Sequence, residues 1–595
     1  MVDDDDLSGI GRRELFRTGA TLLAGAAIAA CGNRDEPKPA PAEPAGSGAG
    51  PKHTPAAGSG AAKMTNAEAA AQTEAQAKAV ASTEEGAVAV ELLELTFADL
   101  EARQARGSDS AKSLVAKYVQ RITAMNQAGP KLRAVIEVNP DADAIATALD
   151  GERAAGKKHG VLHGLPILVK DNVDTGDKMT TSAGSLALDG SKAAKDAFVV
   201  GKLREAGAII LGKANLSEWA NFRGKLSSSG WSARGGQCRN PYALDRSPSG
   251  SSSGSAAAVA ASLCAAAIGS ETDGSIVSPS SCCGVVGIKP TIGLVSRAGV
   301  VPLSISQDTL GPIARTVTDA AIVLGVIAGA DPDDPATTAP DKRRPTGPVD
   351  YTKFLDKEAL KGARLGVPHK GFLGVHRGVD KSINLALADL RDAGAVLVDV
   401  ELPIPPELGD AEIEVFLTEM KVALDKYLAA RGPDAHVHSL NNVIAFNRQP
   451  QTGELLSYGQ EWFEQADGKT SLTDKAYLAA RAKCLKIARD QLLDKVMADH
   501  KLDAFVAPTN GPAWVIDPVN GDNSGSIPTS TLPAVAGYPH ITVPGPAYHG
   551  LPIGVSFFGA PYTEGKLISF AFAYEQRTKH RRPPQYLATV DEHAD

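Results

Sequence analysis

The sequence predicts an α/β protein, because short apolar runs alternate with segments of helical periodicity. PILVK at 166–170 and AIILGK at 208–213 read as strands, with residues 196–206 between them as a helix. The same alternation returns at RLGVP (364–368), residues 380–393 and AVLVDV (395–400). The other elements follow in order. Residues 96–125 form two helices broken near Gly107, since Leu114, Val115, Tyr118, Val119 and Ile122 recur at helical spacing. AVIEV at 134–138 is a strand and 141–155 a helix. SAAAVAASLCAAAI at 255–268 is small and apolar, which suits a helix packed closely inside the body. DAFVAPT (503–509) and HITVP (540–544) read as further buried strands. Residues 331–360, rich in Asp, Pro and Thr, are expected at the surface. Residues 405–500, mostly helical and polar, are expected to form a cap near the substrate entrance.

Composition excludes several function classes. The 595 residues are 43% apolar and 22% charged, ordinary for a globular protein, with a net charge of −8. Such a balance gives no nucleic-acid footprint, and 5% aromatics leave little for a large stacking surface. The six cysteines are Cys31, Cys238, Cys264, Cys282, Cys283 and Cys484; they form no CxxC pair. The twelve histidines include no HExxH, so no metal site is supported. All the cysteines after Cys31 are expected to be mostly buried thiols. GAIILGK at 207–213 satisfies GxxxxGK, but Ala214 follows where a hydroxyl is needed, and Ala208–Leu211 make a strand, not a phosphate cradle.

The first residues read as an address. GRRELFR (11–17) precedes the apolar run TLLAGAAIAA (21–30), which fits a twin-arginine export signal over residues 1–31. The run is too short to cross a bilayer of roughly 30 Å. IAAC at 28–31 resembles a lipoprotein processing box, making Cys31 a candidate lipid anchor. Residues 32–84 are Ala, Pro, Gly and Ser with scattered charges, a composition that cannot offset chain entropy by apolar burial. They read as a tether, with the folded domain at 85–595. The expected location is the periplasm or cell envelope.

Two serine-rich stretches carry the chemistry: SPSGSSSGSAAAVAA (247–261) and GSETDGSIVSPSSCCGVVGIKPT (269–291). GLPILVKDNVDT (164–175) adds a lysine upstream. Serine hydroxyls and a lysine can supply a nucleophile, a relay and a base without histidine. On these motifs the chain resembles the amidase signature family, closest to bacterial peptide amidases. NLSEWANFRG (215–224), GWSARGGQCRNPY (230–242), ETDGSIVSP (271–279) and GIKPTIGLVSRAGVVPLSISQDTLGPIAR (287–315) carry the likeness to that branch. The resemblance covers about 90–330 and 530–560 and implies the amidase-signature fold, a central mixed β-sheet sandwiched by helices.

The resemblance also implies roles. Ser275 is the nucleophile, Ser251 the bridging serine and Lys170 the base; the backbone N–H groups of Thr272, Asp273, Gly274 and Ser275 form the oxyanion hole. It implies a cis peptide at Gly250–Ser251 and no cofactor. The common family motif has two glycines before the nucleophile and an Arg two residues after it. Here Asp273, Gly274 and Val277 fill those positions, a variant shared by the peptide amidase branch. The implied substrate is a small-molecule or peptide amide, with C-terminal amides of peptides or amino-acid amides favoured. Arg, Asn and Trp residues in 219–240 are candidates for the acyl pocket. No obligate protein partner is implied. Two rivals stand beside this reading: a broad aliphatic or aryl amidase, and a non-catalytic envelope lipoprotein on the same fold. The glutamyl-tRNA amidotransferase subunit is a cytosolic relative, against which the export signal argues.

Overall fold

The computed structural model describes residues 91–432, 435–525 and 527–591. The signal-like segment, Cys31 and the proposed tether lie outside the described residues. Helices α1 (Phe97–Ala105) and α2 (Ala111–Ile122) are separated at Gly107 as the periodicity requires. Each starts with a reciprocal cap: Thr96 with Asp99, and Ser110 with Ser113. Gly107 takes φ 71°, a left-handed turn in which a Cβ is strained.

Strand β1 (Val135–Val138), α3 (Ala142–Ala154), β2 (Pro166–Lys170), α4 (Phe198–Glu205) and β3 (Ile209–Ala214) follow as expected. β4 (Trp231–Ser232) and β5 (Gly236–Gln237) make a separate small ribbon. Next come α5 (Ser253–Ala260), β6 (Ala266–Glu271), α6 (Val277–Cys282), β7 (Val286–Lys289) and β8 (Thr309–Ala314). Then β9 (Arg364–Pro368), α7 (Arg377–Asp392) and β10 (Val396–Val400) form a crossover unit whose strands pair in parallel. α8 (Pro406–Ala429) opens the helical region, and β11 (Ala504–Pro508), β12 (His540–Pro544), β13 (Gly554–Phe558) and α9 (Glu564–Thr578) close the body.

One mixed sheet of 11 strands runs through the molecule in the order β1-β3-β2-β6-β8-β7-β12-β13-β11-β9-β10. Strand β2 pairs in parallel with both β3 and β6. All five of its residues are buried, as expected of a strand covered on both faces.

One sequence expectation is overturned. The small apolar run 255–268 is not one helix: α5 ends at Ala260, and Ala266–Glu271 is a central strand. Alanine favours helix locally, and here pairing with β2 and β8 overrides that preference. The helical half is close-packed because its residues are small. A Cβ on Gly254 would lie 2.2 Å from the Ala134 carbonyl oxygen. The GxxxxGK run is confirmed as structure: Lys213 on β3 is buried and donates to the Val173 carbonyl (2.6 Å) and Thr181 Oγ1 (2.8 Å).

The region 405–500 is largely helical and supplies Glu412, Ile413, Phe416 and Trp462 to the wall of the main cavity. Cys238, Cys264, Cys282, Cys283 and Cys484 are all buried free thiols.

Candidate active site

Parallel pairing of β2 and β6 sets their carboxyl ends side by side, the usual place for a site in such sheets. Lys170 ends β2, and Ser270 lies one residue before the end of β6. Ser251 precedes α5 across the Gly250–Ser251 peptide, which is cis as expected. Ser275 sits in the turn between β6 and α6. Gly274 in that turn has φ 79°, so glycine is required there; Asp273 is not among the residues with positive φ. The substitution of Asp for the family's Gly at 273 therefore strains nothing in the backbone. The Asp273 carboxylate instead accepts from Thr531 Oγ1 at 3.0 Å.

Lys170 is fully buried. Its Nζ lies 2.8 Å from Ser251 Oγ, 2.9 Å from Ser270 Oγ and 3.2 Å from the Ser270 carbonyl oxygen. Burial pulls its ammonium down to about 7, against the opposing pull of Asp308 and Glu271. A neutral amine has two N–H bonds and one lone pair. The Ser270 carbonyl can only accept, so it takes one N–H. Ser270 Oγ also accepts from Asn172 Nδ2 at 2.9 Å and takes the second. The lone pair is left for the Ser251 hydroxyl.

The hydroxyl of Ser275 lines the same cavity as Ser251. The Ser275 carbonyl accepts from the Ser252 N–H at 3.1 Å, which ties the two serine loops together. Among the described residues a hydrogen bond joins Lys170 to Ser251 and none joins the Ser251 and Ser275 hydroxyls. The N–H groups of Thr272, Asp273 and Ser275 donate to no protein acceptor among the described residues. Glu271 Oε2 accepts from the N–H groups of Ile276 (2.8 Å) and Val277 (3.1 Å) at the start of α6, and the Gly274 N–H also leans toward it.

The cavity has a volume of about 320 Å³. One side is apolar and aromatic: Phe222 stacks on Trp462 with ring centres 5.4 Å apart, and Phe416 packs edge-on to Phe222 at 5.6 Å. The other side holds carboxyl groups. Burial, then the neighbouring Asp273, pushes Glu412 well above the ordinary carboxyl range. Asp273 itself is raised to about 6, again mainly by burial.

Residues 219–240 contribute unevenly. Asn221 lines the cavity, whereas Trp219 packs on Phe463 beneath it. Arg223 is buried in an ion cluster with Glu218 and Glu454. It also donates to the Tyr458 carbonyl at 3.0 Å. This cluster closes the turn Trp219–Asn221, whose three residues all have positive φ (51°, 56° and 70°). Each such residue costs on the order of 1–2 kcal/mol. The cluster thus stitches the helical cap to a strained wall of the cavity.

Sequence reasoning missed Ser270, Asn172, Glu271, Asp308 and Glu412. Ser270 and Glu271 were hidden when the helix was extended to residue 268. Asp308 lies within the 287–315 motif, but nothing local shows that it faces the lysine, and Glu412 is distant in sequence.

Comparison with known proteins shows the family. The family model described as Amidase matches residues 113–568. A probable amidase of Arabidopsis thaliana is 43% identical over 493 residues, covering 80% of this chain and 89% of that protein. The crystal structure of native peptide amidase from Stenotrophomonas maltophilia is 49% identical with a TM-score of 0.79, covering 83% of this chain and 98% of that one. A peptide amidase bound to the competitive inhibitor chymostatin is 50% identical with a TM-score of 0.80, covering 83% and 99%. The chain belongs to the amidase signature family and is a hydrolase of carbon–nitrogen bonds in amides.

Proposed function

We propose that this chain hydrolyses C-terminal carboxamides of peptides or of amino-acid amides through Ser275, Ser251 and Lys170. The observation that carries the proposal is the buried Lys170 amine, lowered by burial to about 7 and 2.8 Å from Ser251 Oγ, with Ser251 and Ser275 lining one cavity. Lys170 accepts the proton of Ser251, and Ser251 accepts the proton of Ser275 as its oxygen attacks the amide carbon. The carbonyl oxygen becomes an oxyanion, held by the free N–H groups of Thr272, Asp273 and Ser275. Gly274 is the fourth expected donor. One such donor contributes about 3–4 kcal/mol in the transition state. Ser251 then gives a proton to the nitrogen as Lys170 returns its own to Ser251, the carbon–nitrogen bond breaks and ammonia leaves. Water attacks the acyl-serine by the reverse proton path, releasing the carboxylic acid.

The peptide amidases at 49–50% identity support the substrate class. The apolar wall of Phe222, Phe416 and Trp462 suits an apolar residue bearing the carboxamide. A panel of peptide amides, amino-acid amides, aliphatic amides and anilides, read by release of ammonia or amine, tests it. Peptide and amino-acid amides should give the highest kcat/KM. Preference for simple aliphatic or aryl amides would favour the broader reading, and no turnover on any of them would favour the non-catalytic one.

Export belongs to the same proposal and rests on residues 11–31 alone. Joint substitution of Arg12→Lys and Arg13→Lys should hold the protein in the cytoplasm in a fractionation assay. Unchanged export would refute the twin-arginine route.

A further inference from the structure

A second cavity of about 360 Å³ lies beside the first, and no step of the proposed reaction uses it. Trp231 and Tyr458 line it, packed edge to face with ring centres 5.3 Å apart. Both rings lie over the Arg223 guanidinium, at 5.4 and 4.0 Å, so this floor is fixed by the buried ion cluster. Leu244 and Ile516 add apolar wall. Leu226 and Val515 also line it and are 52% and 50% exposed, two large apolar side chains at one opening. Arg239 and Asp245 border it with opposite charges, so it prefers neither sign.

A ridge made of two loops divides the cavities. Ser227, Ser229 and Trp514 line the catalytic one; Ser228, Val515 and Ile516 line the other; Leu226 lines both. Asp522 staples the loops together. Its carboxylate accepts from the Ser229 N–H (2.9 Å), the Ser229 hydroxyl and Trp514 Nε1 (2.9 Å), and its own N–H donates to the Ser227 carbonyl at 3.2 Å. The ridge is therefore a fixed wall with one apolar side chain common to both sides. A chain leaving the catalytic cavity across Leu226 meets the second cavity next.

We propose that this second cavity is a subsite for an apolar or aromatic side chain of the substrate, one or two residues upstream of the residue that carries the carboxamide. The proposal rests on the peptide-amide reading above. At about 360 Å³ the cavity has room for a full aromatic side chain, and its continuity through Leu226 points to the substrate's own acyl chain as occupant. Partial burial of such a side chain corresponds to about a tenfold gain in affinity.

The test uses the full chain and a series of N-acetylated peptide amides ending in one apolar residue. Gly or Phe is placed at each of the two upstream positions, and the single amino-acid amide serves as each variant's internal reference. Phe at one of the two positions should raise kcat/KM about tenfold over Gly, mainly through KM. Val515→Asp and Leu244→Asp should each erase that gain. Val515 is exposed, so its variant reports even if Leu244→Asp does not fold. A wild-type enzyme that cleaves the amino-acid amide but gains nothing from Phe overturns the subsite alone. So does a gain that survives Val515→Asp. Failure to cleave any of these amides overturns the peptide-amide reading, and the subsite with it.

Discussion

Ser275→Ala is expected to lower amide turnover by at least about 10⁴-fold, to the level that binding and oxyanion stabilisation alone sustain. The proposed acyl-enzyme needs this oxygen. The fold should be nearly indifferent to its loss. The hydroxyl makes no hydrogen bond to another protein group among the described residues, and the Ser275 carbonyl that anchors the Ser252 N–H is kept in alanine. A stability change within about 0.5 kcal/mol is expected by denaturant unfolding. The cavity holds other hydroxyls, notably Ser249 and Ser278, 2.8 Å apart. If Ser275→Ala kept a rate within tenfold of wild type, one of them would have to be the nucleophile. A serine-directed fluorophosphonate separates the cases: the wild type should be labelled at residue 275 and the variant nowhere.

The parts of the fold legible in the sequence are those decided locally. β2, β3, β9, β10, β11 and β12 are short β-branched or aliphatic runs, and each is a strand at the expected place. The caps and Gly107 fix α1 and α2 for the same reason. The parts that were not legible are decided by partners far away. β8 carries Gly311 and Pro312, which argue against a central strand. Yet Gly311 is needed because a Cβ there would meet the Ile288 carbonyl oxygen, and Pro312 falls where the ladder to β7 has stopped at Gly287↔Ile313. β6 reads as helix until β2 and β8 are set beside it. The site divides in the same way. Lys170, Ser251 and Ser275 stand in motifs, and the structure brings Lys170 to Ser251 and all three to one place. The groups around the lysine come from three segments: Asn172, the adjacent pair Ser270 and Glu271, and Asp308. No single stretch of sequence could show that they converge.

Lys170→Met should make the protein inactive and more stable at once. The loss of a general base costs about 10²–10⁴-fold in rate. The gain in stability follows from where the proton sits. In the unfolded chain this lysine titrates at about 10.5; in the fold burial lowers it to about 7. Between those values the unfolded state binds more protons than the native state, so stability rises with pH. The penalty is full below pH 7, on the order of 4–5 kcal/mol, and fades as pH approaches 10.5. Methionine has a similar length and no charge to desolvate. Its replacement forfeits three hydrogen bonds, each about 1 kcal/mol net. The variant should therefore exceed the wild type by about 1–2 kcal/mol near pH 6, and the difference should shrink and reverse toward pH 10. Urea unfolding at several pH values measures this directly. The same proton sets the rate: wild-type kcat/KM should climb about tenfold per pH unit below 7 and level off above it. Lys170→Met should lose that acid limb. A Met variant that was less stable at every pH would mean that Lys170 is charged in the fold, held by Asp308 and Glu271. A charged lysine cannot accept the proton of Ser251, so such a result would remove the base from the proposed reaction while leaving the nucleophile in place.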